Sequence, residues 1–141
     1  MVKEVAAQAV RAALAGRSQR VTKQRLAIVE ELAAAGRYAT AKQLHERLTR
    51  KRSGIGLATV YRTLETLQSI GAASTRTQGG ENAYLFCPPE HHHHAVCTKC
   101  GKVEDVPCRA IGRIVRDLTA DLRFKTMQHR LEFFGLCDRC S

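Results

Sequence analysis

Two Cys-x-x-Cys pairs, Cys97-Thr98-Lys99-Cys100 and Cys137-Asp138-Arg139-Cys140, constrain this chain more than any other feature. A pair at i and i+3 in a tight turn can place both sulfurs on one cation. A second pair completes the tetrahedron, with S–Zn bonds of about 2.3 Å. The two motifs must then meet in the fold. Two disulfides or a thioredoxin-like redox pair are the alternatives, but the chain shows no signal peptide, and paired motifs of this kind in a cytosolic protein point to metal. Cys97, Cys100, Cys137 and Cys140 are therefore expected to form a closed structural zinc site, whose binding energy counts as folding energy for that part of the chain.

Four adjacent histidines, His91 to His94, precede the first pair. A solvated polar turn is one reading of such a run. Among apolar residues and before a Cys-x-x-Cys it reads better as a strand, in which alternate side chains face opposite ways. His91 and His93 then share one face and His92 and His94 the other, so the run predicts two further metal sites.

The rest of the chain divides by charge. Residues 1–86 carry 14 Lys and Arg against 6 Asp and Glu, net +8, and residues 87–141 carry 9 against 7, net +2. The pI of about 9.8 and this asymmetry make the N-terminal part a polyanion binder. No basic amphipathic anchor and no apolar run of membrane-spanning length is present, so nucleic acid is favoured over a membrane surface. A soluble cytoplasmic protein is expected. At 141 residues with 44% hydrophobic content, one domain or two small ones can bury a core, and with 5% aromatic residues that core is aliphatic.

Helical periodicity runs through the N-terminal part. Val2, Val5, Ala6, Ala9, Val10, Ala13 and Leu14 form a first helix that stops at Gly16. Thr22 caps a second, with Leu26, Val29, Leu32 and Ala33 on one face and an end near Gly36. Thr40 caps a third, with Ala41, Leu44 and Leu48 inward. A fourth spans 57–70, with Val60, Leu64 and Leu67 as its apolar stripe and Gly71 as its stop. Thr59, Tyr61, Arg62 and Thr63 lie off that stripe and are expected to be free to meet a partner. Beyond Gly71 the composition turns to strands at 72–77 and 81–86 around Gln78-Gly79-Gly80, a hairpin. Helices followed by a hairpin predict a winged helix-turn-helix DNA-binding domain over residues 1–86. Its recognition helix would enter the major groove, while the wing and Arg20, Lys23 and Arg25 sit near phosphates.

Cys87-Pro88-Pro89-Glu90 reads as a stiff hinge, because two prolines fix φ and remove donors. Residues 91–141 then predict strands at 91–97 and 102–106, a helix at 109–122 with Ile111, Ile114, Val115, Leu118 and Leu122 inward, and a strand at 127–134 that carries His129. So few residues bury little core alone, and units of this size lean on a metal and a partner subunit. A small C-terminal α/β dimerisation domain with structural zinc, and hence an α+β homodimer, is expected. Cys108 has no assigned role beyond that of a small buried residue.

The text Gly56-Leu57-Ala58-Thr59-Val60-Tyr61-Arg62-Thr63-Leu64, the His91–His94 run with Cys97-x-x-Cys100-Gly101-Lys102-Val103, and His129-Arg130-Leu131-Glu132 closing on Cys137-x-x-Cys140 resemble the ferric uptake regulator family of metal-sensing repressors. The resemblance covers essentially the whole chain. It implies a homodimer that binds double-stranded operator DNA, at inverted repeats in promoters, when loaded with a regulatory metal. It also implies that Tyr61 and Arg62 contact bases, that Arg20 lies near the minor groove, and that the four cysteines hold structural zinc. By the same resemblance the regulatory site takes Cys87, His92, His94 and Asp105, a set whose soft thiolate suits Zn2+ better than Mn2+ or Fe2+. Tyr38 replaces the histidine of iron and peroxide sensors, and Ala73 replaces an aspartate of some zinc sensors. A second site would use His91, His93 and His129. Its usual glutamate falls at Gly112, so that site is expected to be weak, completed by water, or absent.

Other classes fit less well. A zinc hydrolase needs a glutamate beside its ligands, as in HExxH or HxE, and neither spacing occurs. A metal chaperone or buffer explains the ligands but not the basic helices. An iron-, manganese- or peroxide-responsive member of the same family is the nearer alternative.

Overall fold

The computed structural model describes residues 2–17, 20–88, 91–125 and 129–141. The chain forms two compact units, residues 1–89 and 90–141. No helix among the described residues is long and apolar enough to cross a membrane.

The first unit is built from α1 (Val2–Ala15), α2 (Lys23–Ala35), β1 (Ala39–Thr40), α3 (Ala41–Arg50), α4 (Leu57–Ser69), β2 (Ala73–Gln78) and β3 (Glu81–Phe86). Its helices begin where the caps require. The Thr22 hydroxyl accepts from the Arg25 amide, and Thr40 and Gln43 form a reciprocal capping box. Gly36 ends α2 in the left-handed region, at φ 58°. Val10, Leu14, Ile28, Val29, Leu32, Leu44, Val60, Leu64 and Leu67 meet in one aliphatic core. Val5 departs from its expected place: it is 63% exposed, because the buried stripe of α1 runs through Ala6, Ala7, Val10 and Leu14.

β2 and β3 pair antiparallel from Ala73↔Phe86 to Gln78↔Glu81, which places Gly79 and Gly80 in the turn. The two-residue β1 adds to the other edge of β3. Sequence reading missed it, since two residues carry no period. The carboxylate of Glu31 on α2 is buried, and Arg47 of α3 and Lys51 just beyond it meet it.

The second unit contains β4 (His92–Cys97), β5 (Val103–Pro107), α5 (Cys108–Asp121) and β6 (Glu132–Gly135). Its sheet has the order β5-β4-β6, with β4 antiparallel to β5 and parallel to β6. Two expectations need correction. The sequence predicts the last strand at 127–134, yet among the described residues it begins at Glu132, where the parallel register with β4 starts at His94↔Glu132; His129 lies before it, and residues 127 and 128 fall outside the described residues. The apolar stripe of α5 does not face inward. Ile111 alone is buried, while Ile114, Leu118 and Leu122 are 65%, 60% and 66% exposed, since α5 meets the sheet chiefly along β5 and turns this stripe away from it. Phe133, Phe134 and Leu136 are exposed as well.

Candidate metal centres and nucleic-acid interface

The Cys97-x-x-Cys100 turn leaves β4 as a knuckle. Cys97 N–H donates to Lys102 O and Gly101 N–H returns to Cys97 O, at 2.8 and 2.9 Å, and Gly101 takes φ 72° to allow the reversal. Cys137 and Cys140 form a second knuckle, in which Cys140 N–H donates to Cys137 O at 2.7 Å. A bond from Thr98 N–H to Gly135 O, 2.8 Å, draws the two together. All four thiols converge, with ligand atoms within 4.8 Å of one another.

The Cys100–Cys137 Sγ separation is 3.7 Å, and none of the four is in a disulfide. Two sulfurs on one tetrahedral zinc lie about 3.8 Å apart, given bonds of about 2.3 Å. The disulfide alternative is thereby set aside. Electrostatics point the same way. Amide N–H groups of Cys100 and Cys137 donate to Cys97 Sγ and hold its thiol at about 6, whereas proton sharing with Cys137 pushes Cys140 up to about 12. Four crowded thiols cannot all ionise without a cation among them. The cluster is a closed structural metal site with a soft tetrahedral donor set.

β4 sorts the histidine run by face, as alternation predicts. His92 and His94 stack edge to face with centroids 4.8 Å apart, and the Asp105 carboxylate of β5 lies 3.9 Å from the Nε2 of each. Asp105 is brought there by the His94↔Asp105 register. Burial lowers the His94 pKa below its ordinary value, His92 adds to that, and Asp105 partly offsets it. Neutral imidazole is the form that binds metal. Cys87 belongs to the first unit. It is buried, just beyond β3, and its N–H donates to Ala72 O at 3.0 Å. Tyr38 is buried, its hydroxyl 3.2 Å from Ser74 Oγ and its ring beneath the Arg76 guanidinium, so it offers no imidazole.

On the opposite face His91 and His93 meet His129, with centroids 4.3 Å from His91 to His129 and 5.0 Å from His93 to His129. His93 is 1% exposed, and burial, followed by the neighbouring histidines, lowers its pKa. Cys108, expected to be buried and idle, is partly exposed at the start of α5 and joins this group. Sequence reading missed it because the three histidines lie 15 to 21 positions away from it in sequence, and no spacing rule links them.

In the first unit an open cleft is lined by Arg20, Thr22, Gln24, Arg25, Thr59, Arg62 and Thr63. Arg25 Nη1 donates to Arg20 O at 2.7 Å, which fixes the approach to α2. Lys23 and Tyr61 are exposed but do not line the cleft. Thr63 corrects the expectation that it is free for a partner: it is 2% exposed and its hydroxyl donates to Thr59 O at 2.8 Å. The cleft and the exposed N-terminal half of α4 form a basic, hydrogen-bonding surface suited to a phosphate backbone and base edges.

The model of the ferric uptake regulator family matches residues 17–134. The chain is 37% identical over 122 residues to the zinc uptake regulation protein of Mycobacterium tuberculosis, covering 86% of this chain and 94% of that protein. It is 31% identical over 122 residues to the peroxide operon regulator of Bacillus subtilis, covering 86% and 84%. Its fold is similar to a solved zinc uptake regulator complexed with zinc and DNA, with TM-score 0.70, 25% identity and coverage of 99% and 94%. A family match through most of the sequence, on a fold with a helical DNA-binding domain and a four-cysteine α/β domain, leads to one conclusion: the chain belongs to the ferric uptake regulator family and is a metal-responsive transcriptional regulator, not an enzyme.

Proposed function

We propose that this protein is a zinc-responsive repressor that binds inverted repeats in promoter DNA as a homodimer and controls metal-uptake genes. Residues 1–86 are the DNA-binding domain, 87–90 the hinge and 91–141 the dimerisation domain. The observation that carries the metal assignment is the donor set. His92 and His94 converge on Asp105 at 3.9 Å each, and the buried free thiol of Cys87 would add a soft fourth donor. The likeness to a zinc uptake regulation protein supports the same choice. The Asp105 carboxylate and the likeness to a peroxide regulator favour an iron- or manganese-responsive protein as the second reading.

When bound, zinc supplies two positive charges and a preference for tetrahedral geometry. Cys97, Cys100, Cys137 and Cys140 hold the structural ion and tie the knuckles after β4 and β6 together. Cys87 from one side of the hinge and His92, His94 and Asp105 from the other would hold the regulatory ion, and joining these donors would select, from the separations a dimer samples, the one that matches two half-sites. Thr59, Tyr61 and Arg62 of α4 then reach base edges, while Arg20, Lys23 and Arg25 meet phosphates, Arg20 toward the minor groove.

The test is operator binding by protein that retains only its structural zinc, with buffered Zn2+, Mn2+ and Fe2+ titrated at fixed salt against DNA carrying an inverted repeat. Binding that appears at the lowest free zinc is expected. A response confined to manganese or iron would reassign the metal and leave the DNA reading standing. Cys87→Ser is expected to require more zinc for the same occupancy of DNA; an unchanged zinc dependence would sink the hinge mechanism.

A further inference from the structure

We propose that Cys108 is the fourth ligand of the second metal site, which makes it a His91, His93, Cys108, His129 centre for a borderline-soft divalent cation such as Zn2+. The proposal rests on the reading of the histidine run as ligands, and not on which metal the regulatory site senses.

The geometry is that of a built site. Cys108 Sγ lies 3.6 Å from His91 Nδ1 and 4.0 Å from His129 Nε2, and one ligand atom from each of the four residues falls within 4.8 Å of all the others. A thiolate and an imidazole nitrogen on one tetrahedral zinc are about 3.6 Å apart, from bonds of about 2.3 and 2.1 Å. His91 is oriented for the task. Its Nε2 lies 3.2 Å from the His129 carbonyl, which can only accept, so Nε2 carries the proton and Nδ1 turns its lone pair toward Cys108.

The independent observation is His93. Its side chain is 1% exposed, and neither ring nitrogen has a hydrogen-bond partner among the described residues. A buried polar group left without a hydrogen-bond partner destabilises the fold. A cation shared with His91, Cys108 and His129 would give that imidazole a partner.

The position of the thiol explains how the site survives without the glutamate that the sequence resemblance places at Gly112. Cys108 and Gly112 are four apart and share one face of α5, so the ligand has moved one turn toward the helix start. Aligned peptide dipoles at that end favour an anionic donor. Exchanging a carboxylate for a thiolate moves the preference of the site from manganese and ferrous iron toward zinc. Such a centre would also fasten α5, which otherwise buries only Ile111, to β4 and to the chain leading into β6.

The full chain with its structural zinc in place provides the test. In wild-type protein, zinc is expected to protect Cys108 from alkylation, read peptide by peptide in a mass spectrometer, and His129→Ala is expected to abolish that protection. In Cys87→Ser protein, which removes the thiol of the regulatory site, Co2+ titration is expected to give a thiolate-to-cobalt charge-transfer band that disappears in Cys87→Ser/Cys108→Ser. Equal alkylation rates with and without zinc would reduce the Cys108–His91 contact to an ordinary hydrogen bond and overturn the proposal. Cobalt bound without a thiolate band would leave a histidine site that lacks Cys108. No second equivalent of cobalt bound at all would overturn the histidine reading beneath it.

Discussion

Cys97, His93 and Arg62 stand in three different environments, each suited to the role proposed for it. Cys97 accepts two amide hydrogen bonds, so its thiol is ready to lose a proton to an incoming cation. His93 is buried with no hydrogen-bond partner for either ring nitrogen among the described residues, a cost that a bound metal would remove. Arg62 stands exposed beside a basic cleft, where it is of no use to the core and free to meet a base. Two predictions belong at this scale. Cys100→Ser opens the four-cysteine site, and we expect loss of one zinc per chain and of amide protection in β4 and β6, read by metal analysis and hydrogen exchange. Structural zinc contributes on the order of 10 kcal/mol in small domains, as much as a whole domain's stability. Arg62→Ala is expected to weaken operator binding by about 1–3 kcal/mol and to relax sequence preference, measured by titration against wild-type and altered half-sites. A uniform loss across all sequences would make Arg62 a phosphate contact instead.

Among the elements, α3 and α5 mark the two extremes. α3 is held by a capping box at Thr40, by Leu44 and Leu48 in the core, and by the contacts of Arg47 and Lys51 with the buried Glu31. It is the support on which α4 rests. Thr40→Ala should lower the thermal stability of the N-terminal domain by about 1 kcal/mol, while folded protein binds DNA as before. Paired calorimetry and DNA titration check this, and a loss of affinity beyond the unfolded fraction would place α3 in the interface. α5 has no side-chain cap and buries one residue. Its apolar stripe is left for a partner to cover.

At the scale of the whole molecule, the second unit cannot account for its own surface. Ile114, Leu118, Leu122, Phe133, Phe134 and Leu136 are each more than 45% exposed, whereas its buried residues are few and include two histidines. An apolar surface of this kind marks an interaction site. Members of this family bind operator DNA as dimers, and a second copy of the chain is the partner that such a surface fits. We expect Leu118→Glu to shift the protein from dimer to monomer in sedimentation equilibrium, and to lose operator binding with it. A variant that stays dimeric would place the interface elsewhere.

Sequence alone determined a great deal here, because the decisive signals are local. Caps at Thr22 and Thr40, the stop at Gly71, the Gly79-Gly80 turn and the alternation of His91 to His94 each depend on a few adjacent residues, and each appears in the fold where local chemistry puts it. The convergence of the two Cys-x-x-Cys motifs was legible because tetrahedral coordination demands it. What only the tertiary structure decided depends on residues distant in sequence. The register of β4 against β5 puts Asp105 between His92 and His94, and the start of α5 brings Cys108 to three histidines. Periodicity gave α5 an apolar stripe but not the direction it faces. That direction depends on where α5 meets the sheet, and it does so chiefly along β5, leaving the stripe uncovered.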